Sequence, residues 1–88
     1  MKIKKTFVKR KIGDKYLVVS TDKKNSGSFF IEMNETSGYI WDLIEKGLSK
    51  DEIAKALSEQ YGIDYEKALT DTEKLIQSMS KADIFEEG

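Results

Sequence analysis

The chain of 88 residues contains no cysteine, no histidine and no proline, and the first two absences each close off a class of function. Without cysteine there is no disulfide framework, no thiolate metal site and no thiol nucleophile. Without histidine the commonest metal ligand and the usual general base near neutral pH are missing, which leaves carboxylates, lysines and hydroxyls as the side chains available for chemistry. No stretch approaches the roughly 18 apolar residues needed to cross a bilayer. The opening Met1-Lys2-Ile3-Lys4-Lys5-Thr6-Phe7 has a charged head with no apolar run behind it, unlike a secretory signal. The expectation is a soluble, cytoplasmic protein with no membrane partner. The carboxylates show no spacing that gathers metal ligands, and neither a glycine-rich phosphate loop nor a nucleophile–base pair is visible. No enzyme activity, no cofactor and no metal site are therefore expected.

What is present suffices for one core. Hydrophobic residues make up 39% of the chain and charged residues 35%, so the sequence is neither a disordered tail nor a membrane segment. No linker, repeat or low-complexity tract divides it, and residues 1–88 read as a single domain. Charge is unevenly placed. Residues 1–24 carry nine Lys or Arg against Asp14 and Asp22, a net of +7, while the remainder carries six Lys against fourteen acids, a net of −8. A basic end of this kind either steers an anionic partner or keeps edge strands soluble.

Residues 7–12 and 15–21 are rich in β-branched and aromatic side chains and flank Gly13-Asp14, which predicts a hairpin. The polar segment 22–28 follows, and Phe29 to Met33 gives a third strand. At Asn34 the period changes from two to 3.6. Ile40, Leu43, Ile44 and Leu48 share a helical face with Tyr39 and Trp41 beside it, predicting a helix from Thr36 to Lys46 closed by Gly47, with Asn34 capping or turning into it. Ser49-Lys50-Asp51-Glu52 fits a capping box for a second helix with the stripe Ile53, Ala54, Leu57 and Tyr61, ended by Gly62. Asp64 then caps a third helix of 17 or so residues carrying Tyr65, Ala68, Leu69, Thr72, Leu75, Ile76 and Met79. Ile84 and Phe85 pin the tail back on the body.

The resulting class is α+β: a three-stranded antiparallel N-terminal sheet followed by three helices, like a winged helix-turn-helix. Duplex DNA is the first ligand such an outline suggests. Ile63-Asp64-Tyr65-Glu66-Lys67, however, places two acids where a recognition helix would face phosphates. A nucleic-acid-binding regulator or a protein scaffold stays as the alternative reading, through the basic hairpin.

The ordered run Met33-Asn34-Glu35-Thr36-Ser37-Gly38-Tyr39-Ile40-Trp41-Asp42-Leu43-Ile44, then Gly47, Glu52-Ile53-Ala54, Leu57, Tyr61-Gly62, Asp71, Leu75-Ile76 and Met79, resembles the PqqD-like family. These are the RiPP recognition elements of pathways that make ribosomally produced, modified peptides. The match runs from about Phe7 to Phe85. Two departures are visible: Met33 where the family usually has leucine, and Ala82-Asp83 where a glycine commonly closes the last helix. Methionine is an apolar replacement of similar volume, and aspartate tolerates left-handed backbone better than most residues.

The resemblance implies a non-catalytic module that binds the leader segment of a precursor peptide as an extra strand and presents the precursor to a separate maturation enzyme, in stand-alone relatives often a radical SAM enzyme. The leader would pair with the third strand and lie against the third helix, so the implied peptide-binding residues are Ser28, Phe29, Phe30, Ile31, Glu32, Met33, Asp71, Thr72, Lys74, Leu75, Ser78 and Met79. Alternation puts Phe29, Ile31 and Met33 on one face and Phe30 and Glu32 on the other, without saying which lines the groove. Oligomeric state stays open between monomer and homodimer, because an unoccupied edge strand can also pair with a second copy.

Overall fold

A computed structural model describes residues 2–21 and 30–86. The elements run β1 (Phe7–Ile12), β2 (Lys15–Ser20), β3 (Phe30–Met33), α1 (Glu35–Glu45), α2 (Lys50–Tyr61) and α3 (Tyr65–Lys81). The sheet is antiparallel in the order β1-β2-β3. Ile12 pairs with Lys15 across the two-residue turn, where Gly13 has φ 64°. Glycine at the first turn position with positive φ suits the turn whose twist matches the flanking strands. The segment 22–28 and Phe29 lie outside the described residues. β2 ends one residue earlier than the sequence suggests, although the Thr21 amide still donates to the Thr6 carbonyl at 2.6 Å.

Each helix begins as its first residues dictate, with one exception. Asn34 caps α1 by accepting from the Ser37 amide at 2.8 Å, so the helix starts one residue before Thr36 and ends at Glu45. Ser49 accepts from the Glu52 amide at 3.2 Å while Glu52 accepts from the Ser49 amide at 3.0 Å, completing the capping box. Asp64 holds the extended N-cap backbone of α3, but its side chain makes no capping bond. Gly62 closes α2 in the left-handed conformation, and Asp83, φ 58°, does the same just beyond α3.

The Glu52 pKa lies below its ordinary value because the Ser49 amide and hydroxyl bind the charged form. A carboxylate whose pKa is lowered by folding stabilises above its unfolded pKa of about 4.3, and that contribution is lost as pH falls through the lower folded value. Glu52→Gln should therefore lower the melting temperature at pH 7, with the gap to wild type closing in acid. Thermal melts at pH 7 and pH 3 check this, and a gap that grew in acid would sink it.

The core joins one face of the sheet to all three helices. Val18 and Met33 from the strands meet Ile40, Trp41 and Ile44 of α1, Ile53, Ala54 and Leu57 of α2, and Ala68, Leu75 and Met79 of α3. Ile84 is buried beyond α3, its carbonyl accepting from the Lys4 amide at 2.8 Å, and Phe85 bridges Ile3. The C-terminal tail is thus tied to the N-terminal segment, as the apolar pair Ile84-Phe85 suggested.

α1 approaches the sheet closely because position 38 has no side chain. A Cβ on Gly38 would stand 2.8 Å from Tyr16 Cδ2 and 2.9 Å from Cε2. The Tyr16 ring cannot swing freely away, since Lys9 Nζ lies 4.5 Å over its centre and continues to Asp42 at 2.6 Å. Alanine ordinarily gains about 1 kcal/mol over glycine within a helix. Here an overpacking cost of roughly 1–3 kcal/mol opposes that gain. Gly38→Ala should be destabilising in urea melts, and less so in a Tyr16→Leu background.

Candidate functional site

The site follows from how the sheet ends. Thr21 donates to Thr6, and the tight turn closes on the Ile12–Lys15 pair. In an antiparallel ladder, hydrogen-bonded and non-bonded pairs alternate, so Lys15, Leu17 and Val19 bond toward β1 while Tyr16 and Val18 bond toward β3. Tyr16 and Val18 face Met33 and Ile31 in the register. The backbone groups of Ile31 and Met33 are therefore satisfied by β2, whereas those of Phe30 and Glu32 point to the other edge. Among the described residues no strand pairs with that edge.

Beside the open edge runs a groove of about 660 Å³. Ile31 and Glu32 form its strand wall, and Lys67, Asp71, Lys74, Leu75 and Ser78 of α3 form the opposite wall. Thr36, Ser37 and Ile40 of α1 and Tyr61 and Ile63 at the end of α2 complete the lining. Tyr61 is braced edge-on against Tyr39, ring centres 5.7 Å apart. Burial and the nearby Glu35 carboxylate keep the Tyr61 phenol above its ordinary pKa, hence neutral. The floor is apolar and the rim charged. On the rim Glu32 pairs with Lys15 at 2.9 Å and Lys67 with Asp71 at 3.5 Å, whereas Lys74 has no ion-pair partner among the described residues.

The residues implied from the sequence divide here. Ile31, Glu32, Asp71, Lys74, Leu75 and Ser78 line the groove together. Phe30 supplies edge backbone, while Ser28 and Phe29 lie outside the described residues. Met33, Thr72 and Met79 are placed elsewhere. Met33 and Met79 are core residues, and Thr72 is wholly buried with its hydroxyl donating to the Ala68 carbonyl. The reason is helical phase: the groove takes the α3 stripe 67, 71, 74, 75 and 78, and 72 and 79 lie on the buried stripe with Ala68. The strand face left open by alternation is also decided, since half-buried Ile31 packs toward the helices and into the groove.

Sequence reasoning missed Lys67 and the whole contribution of α1 and α2. Lys67 was legible as the residue four before Asp71 on the same stripe. Thr36, Ser37, Tyr61 and Ile63 carried no local signal, because only tertiary packing brings the start of α1 and the end of α2 to the strand edge.

No group of three or more acidic residues among the described residues is placed to hold a metal ion, and no described helix is long and apolar enough to cross a membrane. Fold and groove together define a winged helix-turn-helix domain with a strand edge, unpaired among the described residues, beside a cleft. The chain belongs to the PqqD family: the family model for coenzyme PQQ synthesis protein D matches residues 17–84. Two solved structures share the fold. One, TbiB1 in complex with the TbiA(beta) leader peptide, superposes with a TM-score of 0.79 at 20% identity, covering 100% of this chain and 98% of that one. The other, lasso peptide synthetase B1 complexed with the leader peptide, gives 0.76 at 14% identity, covering 94% of this chain and 93% of that one. No curated protein matches the sequence.

Proposed function

We propose that this protein is a non-catalytic binding module that captures the leader segment of a ribosomally made precursor peptide as a fourth strand on β3, and presents the precursor to a separate modifying enzyme. The observation that carries this reading is the unpaired edge of β3 opening directly onto the groove walled by α3. An extended peptide there gains main-chain hydrogen bonds from Phe30 and Glu32, and drops alternate side chains toward Leu75, Ile40 and Tyr61. Backbone pairing supplies affinity that any sequence can share, so selectivity rests on the apolar floor and the charged rim. The two structural neighbours were both solved with leader peptides, which supports the same use of the groove. A radical SAM enzyme is the modifying partner that the family resemblance favours. The cytoplasm, where precursor and enzyme would meet, is the fitting compartment.

The test is a titration of the ¹⁵N-labelled protein with the short peptide encoded beside its gene and, separately, with duplex DNA. Saturable shifts in residues 30–33 and along the groove stripe of α3, seen with peptide alone, are expected. Shifts confined to the basic hairpin and seen with DNA alone would overturn the reading in favour of a regulator.

A further inference from the structure

Among the described residues, the charges that line the groove cancel in pairs, with one exception. Glu32 is held by Lys15 at 2.9 Å and Asp71 by Lys67 at 3.5 Å. Glu73, beside Lys74 on α3, is taken by Lys50 at 3.5 Å. Lys74 itself makes no ion pair or hydrogen bond with any described residue, and neither does the hydroxyl of Ser78, although both side chains line the groove. Residues four apart on a helix are surface neighbours, with Cβ atoms about 5–6 Å apart, so the two act as a unit. An ammonium and a hydroxyl with no partner of their own make a pair of donors carrying one uncancelled positive charge.

A single carboxylate matches this pair. It accepts from both donors, and charge-assisted hydrogen bonds of this kind are stronger than neutral ones. A phosphate backbone would instead bring several charges past Asp71 and Glu32, which also line the groove. The sheet register then fixes where the carboxylate stands in a bound strand. Ile31 opposes the core residue Val18 and faces the helices, whereas Phe30 and Glu32 oppose Val19 and Leu17 on the far face. Side chains alternate along a strand, and opposed residues share a face. A strand added to β3 therefore turns every second side chain toward α3. Buried Leu75 and the pair Lys74 and Ser78 all belong to α3, so the residues that meet them lie on one face of the added strand. The shortest such spacing is two residues, about 6.8 Å.

Resting on the function proposed above, we infer that the leader selected by this groove carries an aspartate or glutamate that binds Lys74 and Ser78, two residues from an apolar side chain seated against Leu75 and Ile40. The strand edge holds any extended peptide by its main chain. Lys74 and Ser78 choose among such peptides: an acid at the right place gains the charge, and a lysine or arginine there meets an ammonium of like sign.

The experiment titrates the full chain, by calorimetry at low salt, with the short peptide encoded beside its gene. Versions of the peptide have each acid in turn changed to its amide and each apolar residue to alanine. One acid should stand out, its amide version binding about three- to fivefold more weakly, as for loss of a partly exposed ion pair. An apolar residue two positions from it should be similarly sensitive. Lys74→Gln should show the same loss with the parent peptide and no further loss with that amide version. Lys74→Glu should bind the parent about tenfold or more weakly, through like-charge repulsion, and recover when that acid is changed to lysine. Ser78→Ala should lose about twofold, the low end for one hydrogen bond. Melting temperatures of the Lys74 variants should stay close to wild type, because the side chain has no partner to lose among the described residues. A peptide that binds without any acid, or acids whose removal has the same effect in wild type and Lys74→Gln, would overturn the inference and leave the proposed function standing. If the wild-type chain ignores the peptide altogether, the proposed function fails and this inference with it.

Discussion

Glu32→Pro is expected to weaken leader binding by about tenfold or more, from a lost main-chain bond of about 0.5–1.5 kcal/mol plus the clash of the ring with an incoming strand. The effect isolates the backbone mechanism because of where position 32 lies. Its amide points to the free edge, and proline is tolerated on an edge strand when its missing N–H faces outward. The β2 ladder is untouched, and the Lys15 ion pair lost with Glu32 is an exposed one of little worth. Stability should thus change little, and Glu32→Ala, which keeps the amide, should bind leader nearly as well as wild type. Ile31→Pro is the contrasting control. Its amide faces Val18 of β2, so it should unfold the sheet edge rather than merely block it. Calorimetric titration with the leader and thermal melts of all three variants give the comparison. Equal leader affinity for Glu32→Pro and Glu32→Ala would rule out strand addition at this edge.

Trp41→Ala should cost about 3–5 kcal/mol, the range for removing a large buried aromatic side chain. Trp41 is 0% exposed and lies in the core shared by the sheet and all three helices. A domain of this size has about 5–15 kcal/mol in total, so the substitution removes a large share of it. At about 4–8 °C per kcal/mol for a small domain, the melting temperature should fall by roughly 15 °C or more. Trp41→Phe should recover much of the loss. A fall of only a few degrees for the alanine variant, read by circular dichroism, would mean that the core closes over the gap.

The two substitutions mark which parts of the chain were legible in advance. Trp41 stood beside the apolar stripe of Ile40, Leu43 and Ile44, and the structure buries it with them. The two-residue turn, the capping box at Ser49 and the left-handed residue at Gly62 were equally local, since each needs only a few neighbouring side chains to specify its geometry. The left-handed backbone at Asp83 was suggested by the resemblance alone, and the structure gives it φ 58°. Asp64 shows the limit of such reasoning: the residue occupies the cap position, but its carboxylate does not bond the helix amides.

The groove was legible only in part. The strand and helix that wall it could be named from the resemblance, but the α3 residues within it depend on helical phase relative to α2, and this moved Thr72 and Met79 into the core. The basic hairpin likewise divides only in three dimensions. Lys9 reaches inward across Tyr16 to α1 and serves the fold, while Arg10, one residue later, lies on the other face of the strand and makes no ion pair among the described residues. A net charge of +7 over residues 1–24 does not distinguish the two.

By itself the sequence determined the order of the elements, most of their caps and turns, and the apolar stripe of each helix, because hydrophobic period and backbone chemistry act over a few residues. Only the tertiary structure decided that β3 ends the sheet with an edge no strand pairs among the described residues, and that α1 and the end of α2 meet α3 to make that edge one side of a groove. Those facts depend on how elements distant in the chain pack together, and no local pattern of side chains encodes them.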